Sequence, residues 1–157
     1  MIVPILSYGA EIWGFQYFEV LENVQRRWCR LLLGVPKHTT TEAVIGECGR
    51  LPVYCITIKR CIAYWLKLLE MPSHRIPRQA YLMLCNLDSM GRNTWATSVK
   101  DILFSFGFGF AWVSKEVGNK NHFLHIFGNR VKDVYKQRWL EKVSLKPKLR
   151  TYIQFKS

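Results

Sequence analysis

Three observations predict an all-α fold: a single irregular helical domain of about six to eight helices over residues 1–157, with basic helices at its C-terminal end. Apolar residues recur at helical spacing through most of the chain. Gly and Pro fall mainly at the ends of those periodic stretches. Hydrophobic residues make up 49% of the 157. That is enough for a sizeable core and too many for a disordered chain.

The elements follow in order. Phe18, Leu21, Val24, Trp28, Leu31 and Leu32 form one stripe of a helix, with Glu19, Glu22, Arg26 and Arg27 outside it. Gly34 ends this helix and Pro36 prevents its renewal. Thr39 followed by Glu42 fits a capping box and predicts a short helix over 40–48, closed by Gly49. Pro52 suits a first helical turn. From there Tyr54, Ile58, Cys61, Ile62, Trp65, Leu68 and Leu69 share a face, with Lys59, Arg60 and Lys67 elsewhere. Met71-Pro72 stops that helix. Pro77 opens the next, which runs to about Leu87 and ends by Gly91. Asn93 or Thr94 can cap a helix through Ser105. The stretch 104–110 alternates Phe with small residues, but its glycines favour a turn or irregular segment over a strand, and no sheet is expected. A long basic helix spans about 121–143, weakened or kinked at Gly128. Pro147 separates it from a short final helix over 149–155.

The formal net charge is +12. Residues 1–50 carry five basic and five acidic residues, so the whole excess lies after Arg50. From Lys120 onward ten basic residues stand against Asp133 and Glu141. A tail of that density favours polyanions, nucleic acid above all; the plainer reading is a solvated basic surface. The five cysteines are Cys29, Cys48, Cys55, Cys61 and Cys85, with no C-x-x-C pair. No secretory leader and no apolar run of about 18 residues is present. The expectation is a reduced, intracellular chain, nuclear or cytoplasmic, with no membrane partner.

Catalytic and metal motifs are not found. Asp88, Asp101 and Asp133 are isolated, and no Tyr-x-Asp-Asp phrase could hold paired metal ions. Glu11, Glu19 and Glu22 read as helix-surface carboxylates. His122 and His125 share a helix face, but no cysteine follows to complete a zinc set. Neither Cys48 nor Cys85 has a spacing that pairs it with His38 or His74. Gly107-x-Gly109 lacks the setting and the Lys-Ser/Thr of a phosphate loop. No catalytic residue, metal ligand or cofactor is therefore expected.

One positive signal remains. Lys132, Lys136, Arg138, Lys142, Lys146, Lys148 and Arg150 surround Tyr135, Trp139 and Tyr152. By helical spacing Lys132, Lys136 and Trp139 share a face, and Arg138 and Lys142 share another. These seven cations are the candidate nucleic-acid contacts, since helix-borne cations bind phosphates and release counterions. The aromatics could stack on unpaired bases. They fit a core role as well, and for Trp139 that reading is the stronger. The partner class is RNA or DNA, bound largely without sequence preference.

Several phrases are ordered along the chain. Pro4-Ile5-Leu6-Ser7-Tyr8-Gly9-Ala10-Glu11-Ile12-Trp13-Gly14 comes first. Leu21-Glu22, Gln25-Arg26-Arg27-Trp28-Cys29-Arg30 and Leu33-Gly34-Val35-Pro36 follow. Then come Glu47-Cys48-Gly49-Arg50-Leu51-Pro52, of the form E-x-G-x-x-P, and Tyr64-Trp65. Trp95, Gly109-Phe110-Ala111-Trp112, Tyr135-Lys136-Gln137-Arg138-Trp139 and Lys148-Leu149-Arg150-Thr151-Tyr152 complete the series.

This series resembles the region that follows the polymerase thumb in non-LTR, LINE-type retrotransposon reverse transcriptases. The resemblance implies an α-helical region that helps hold template RNA or target DNA, with the remainder of a reverse transcriptase as partner where the parent protein contains it. In that family the palm lies upstream of the opening phrase. The resemblance thus implies a truncated, non-catalytic fragment, begun at an internal Met within a helix that would run on from the thumb. Two alternatives stand beside it: a stand-alone nucleic-acid-binding helical domain, and a decayed relic with only a structural or interaction role.

Overall fold

A computed structural model describes residues 3–149 together with Thr151, Tyr152 and Gln154. Among the described residues the order is α1 (Val3–Leu6), α2 (Ala10–Trp13), α3 (Glu19–Leu33), α4 (Thr41–Glu47), α5 (Val53–Glu70), α6 (Ile76–Ser89), α7 (Trp95–Ser105), α8 (Gly109–Ser114) and α9 (Lys120–Ser144). A 3-10 turn, Pro147–Leu149, follows. No strand occurs among them. The all-α expectation holds; the short helices α1, α2 and α8 are additions that apolar spacing did not reveal.

The organising element is α5. Its buried residues include Val53, Cys55, Ile58, Ile62, Trp65 and Leu66. A helix apolar over so much of its circumference has to be surrounded, and α2, α3, α6, α7 and α9 all pack on it. Trp65 is wholly buried. Its indole N–H donates to the Tyr81 hydroxyl at 3.0 Å, which supplies the partner a buried indole requires. The Trp112 ring stacks on it, 6.2 Å between centroids.

The opening phrase is fastened through its carbonyls. Helices of four residues leave most of their carbonyls without internal partners. Here Arg60 donates to Ser7 O at 2.7 Å, the Cys61 thiol to Ala10 O at 3.0 Å and Thr57 to Gly14 O at 2.8 Å. From α7, the Trp95 indole donates to Glu11 O at 3.1 Å. Gly14 is buried at this crossing, and a Cβ there would stand 2.8 Å from Thr57 Cβ. The Trp-Gly of the phrase thus lets the chain lie directly on α5.

The inward face of α3 differs from the expectation. Leu31 and Leu32 are 79% and 59% exposed, while Glu22, Gln25 and Cys29 are buried. The reason is what α3 meets. The Glu22 carboxylate accepts from the Tyr54 N–H at 3.0 Å, capping the start of α5. Gln25 donates to Leu51 O at 2.8 Å. A helix start and a loop carbonyl need polar partners, so a polar face turns inward.

Other differences are local. Thr40, not Thr39, precedes α4, and its side chain makes no cap bond. The expected Thr39–Glu42 capping box does not form, because the helix starts one residue later and Glu42 falls at its second rather than its third position. Pro52 is the N-cap of α5, one residue outside it. At α7 the expected Thr94 cap is present, in a box with Thr97. In the Gly-Phe segment Gly107 takes φ +85°, which only glycine adopts without strain, and so makes the α7–α8 turn. The alternation there sorts faces without a strand: Phe106 and Phe108 are buried against Phe127, and Phe104 and Phe110 are exposed. Of the expected final helix, Thr151, Tyr152 and Gln154 are helical, and Phe155 lies outside the described residues.

Candidate nucleic-acid interface

The basic element is α9, 25 residues long and about 37 Å from end to end. The Asn119 side chain caps it, accepting from the His122 N–H at 3.1 Å. The helix runs through Gly128 without interruption. Gly128 is buried, and the Lys59 ammonium of α5 would stand 3.1 Å from a Cβ placed there. This glycine marks a close approach to α5.

The buried side of α9 changes along its length. Phe123, Phe127 and Val131 face the core of the protein in its first half. Near its end the inward residues are Trp139 and Val143. At about 100° per residue these belong to a different face. The cause is a change of neighbour: α9 packs on α5 first and on α4 afterwards. Trp139 donates its indole N–H to Glu42 O at 2.9 Å and meets the Tyr152 ring edge-on at 6.4 Å. Gly46 on α4 makes room, since a Cβ there would be 2.7 Å from the Trp139 ring. Trp139 is therefore an anchor, as the stronger of its two readings had it.

The seven candidate cations are not brought to one face. Lys132 and Lys136 are exposed on the outer side of the helix. The face they were predicted to share with Trp139 turns inward at Trp139. Arg138 is exposed, with its guanidinium carbon 5.3 Å from the Tyr135 ring centre. Lys142 is exposed and near enough to Glu19 and Glu42 to favour their ionised forms. Lys148 is exposed in the 3-10 turn. Lys146 is half-buried and paired with Glu42 at 2.5 Å, so the fold uses it as a strut. Arg150 lies outside the described residues.

Electrostatics follow from these contacts. Burial works against the charge on Glu42, but the Lys146 ammonium offsets it, with Lys142 adding to the effect, and the carboxyl is held below its usual range. Burial pushes the Tyr135 hydroxyl above its usual range. That ring is half-buried and meets Tyr54 edge-on at 6.1 Å. Sequence reasoning missed Lys59, which adds an exposed cation about one turn before Lys132. The signal was a glycine inside a basic helix, which marks a close approach as well as a weak point.

No group of three or more metal-ligating side chains converges among the described residues. His125 meets the Asn129 side chain at 3.1 Å. Asp88 is held by Lys100 at 2.7 Å and by Thr97 at 2.7 Å. A crevice between Trp13, Phe18, Glu22 and Tyr54 is too narrow to admit a water-sized molecule. Among the described residues no helix is long and apolar enough to cross a membrane. Compared with family models, with curated proteins and with solved structures, the chain matches none.

Proposed function

We propose that this chain is a non-catalytic helical part of a non-LTR retrotransposon-type reverse transcriptase that binds RNA or DNA through its phosphates. The observation that carries this reading is the set of exposed cations Lys132, Lys136, Arg138, Lys142 and Lys148, which line α9 and the turn after it. The neighbouring aromatics Tyr135 and Trp139 pack against protein. Phosphate contact without base stacking is the chemistry this supports, and it carries little sequence information. The ordered phrases of the sequence support the retrotransposon origin.

Fluorescence anisotropy with mixed-sequence oligonucleotides over a salt series tests it. Four phosphates neutralised by Lys132, Lys136, Arg138 and Lys142 would give a slope of log K on log salt of about −3.6 on duplex DNA, and about −2.8 on single strands. No binding at low salt, or binding indifferent to salt, would refute the reading. Template-dependent primer extension by the purified chain would refute its non-catalytic part.

A structural or interaction role is the second reading. It is favoured by Lys146 and Trp139, both of which serve the fold rather than a partner.

A further inference from the structure

The fold brings together two thiols that the proposed binding surface does not use. Cys29 lies on the inward face of α3 and is 1% exposed. Cys48 is the C-cap of α4 and only partly buried, the more exposed residue of the two. The Cys48 sulfur stands 3.9 Å from the Cys29 carbonyl oxygen. The two thiols are within hydrogen-bonding reach of each other. Arg30 and Arg50 place positive charge nearby. Arg30 is held in place by the Thr39 carbonyl at 3.2 Å and the Thr41 hydroxyl at 2.8 Å. Of the other thiols, Cys55 and Cys61 are buried on α5, and Cys85 sits on α6 beside the Tyr81 hydroxyl.

We propose that Cys29 and Cys48 are a redox-modification site, a dithiol that a hydroperoxide closes to a disulfide between α3 and α4. The Cys48 thiolate attacks the peroxide O–O bond, forming a sulfenic acid and releasing water after proton uptake. The Cys29 sulfur then attacks the Cys48 sulfur. The S–O bond breaks, the S–S bond forms, and the hydroxide leaves as water with the Cys29 proton. Two thiols and one hydrogen peroxide give one disulfide and two waters. Exposure assigns the first step to Cys48. Burial, with the neighbouring Cys48 thiol, pushes the Cys29 thiol up to about 11, which keeps it protonated and leaves the attack on peroxide to Cys48.

The bridge would tie α4 to α3 across the turn at Gly34 and Pro36. The same α4 supplies Glu42, on which both Trp139 and Lys146 rest. Oxidation would therefore stiffen the seat of the basic end of α9.

Peptide mapping under non-reducing conditions tests this on the full chain, treated with hydrogen peroxide and quenched with a maleimide. The expected product is a Cys29–Cys48-linked peptide, lighter than the reduced pair by two hydrogens. Reactive thiols of the unfolded sample fall from five to three. The melting temperature rises and returns to its first value with dithiothreitol. Cys48→Ser, at a half-exposed position, abolishes the bridge without unfolding the chain, and Cys29→Ala leaves Cys48 to be trapped as the sulfenic acid. A bridge mapped to other cysteines would overturn the proposal. So would five thiols surviving peroxide, or Cys48 overoxidised in the wild type with Cys29 still free.

Discussion

The Trp139 indole nitrogen and the Glu42 carbonyl oxygen, 97 residues apart in the sequence, lie 2.9 Å apart in the fold. The Glu42 side chain receives Lys146 at 2.5 Å. One residue of α4 thus takes the aromatic contact from the end of α9 and the cationic contact from just beyond it. The arrangement separates residues that hold the helix from residues free to meet a polyanion.

Trp139 should matter for folding and not for binding. Trp139→Ala is expected to cost about 2–3 kcal/mol, below the roughly 3–5 of a fully buried Trp, because the ring is half-buried. Trp139→Phe keeps most of the packing and loses the hydrogen bond, at about 1 kcal/mol. Urea titration measures both. If Trp139 instead stacked on bases, Trp139→Phe would weaken oligonucleotide binding in a sample that remains folded.

The cations should divide into two groups. Lys132→Glu and Lys136→Glu are expected to weaken binding to every oligonucleotide alike, with melting temperatures close to wild type. Lys146→Glu places a carboxylate against Glu42, so its main effect should be a lowered melting temperature. Equal losses of binding from all three, with no change in stability, would contradict the strut assigned to Lys146.

Trp65 is the largest test of the core. Trp65→Ala should cost about 3–5 kcal/mol, since the ring is wholly buried and stacked on Trp112. Trp65→Phe should still be destabilising, because it leaves the Tyr81 hydroxyl without its donor. A melting point unchanged in the alanine variant would contradict the placement of α5 at the centre.

Glu22 gives a pH signature. Burial raises its pKa, and hydrogen bonds from the Tyr54 and Val53 N–H groups only partly oppose the rise. The folded state therefore binds more protons than the unfolded state in the window above the ordinary glutamate value, and stability falls there as pH rises. Glu22→Gln removes the buried charge and can still accept from Tyr54. It should melt above wild type at neutral pH and together with it below about pH 4, where the wild-type carboxyl is protonated. Glu22→Leu should be less stable than wild type by about 1 kcal/mol or more, since the start of α5 loses its acceptor. Thermal melts of the three proteins between pH 4 and 7.5 decide this. A glutamine variant less stable than wild type at pH 7 would show that the ionised form is the favoured one.

The sequence by itself determined the helical class and most of the boundaries. Gly34 ends α3, Thr94 caps α7, and the apolar spacing from Tyr54 to Leu69 identifies α5 as a core helix. These signals are local, because a cap, a breaker or a stripe acts within a few residues of itself. The exposed cations of α9 were legible for the same reason, since a dense run of lysines and arginines cannot all be paired by so few acids. Only the tertiary structure decided which face of α3 turns inward. Leu31 and Leu32 advertise an apolar side, but α3 meets the start of α5 and the Leu51 carbonyl, whose unpaired backbone groups demand Glu22 and Gln25. It also decided that Lys146 and Trp139 belong to α4 while Lys132 and Lys136 belong to the surface. Periodicity records how residues are disposed about a helix axis. It does not record the neighbour each turn will meet, and along α9 that neighbour changes from α5 to α4.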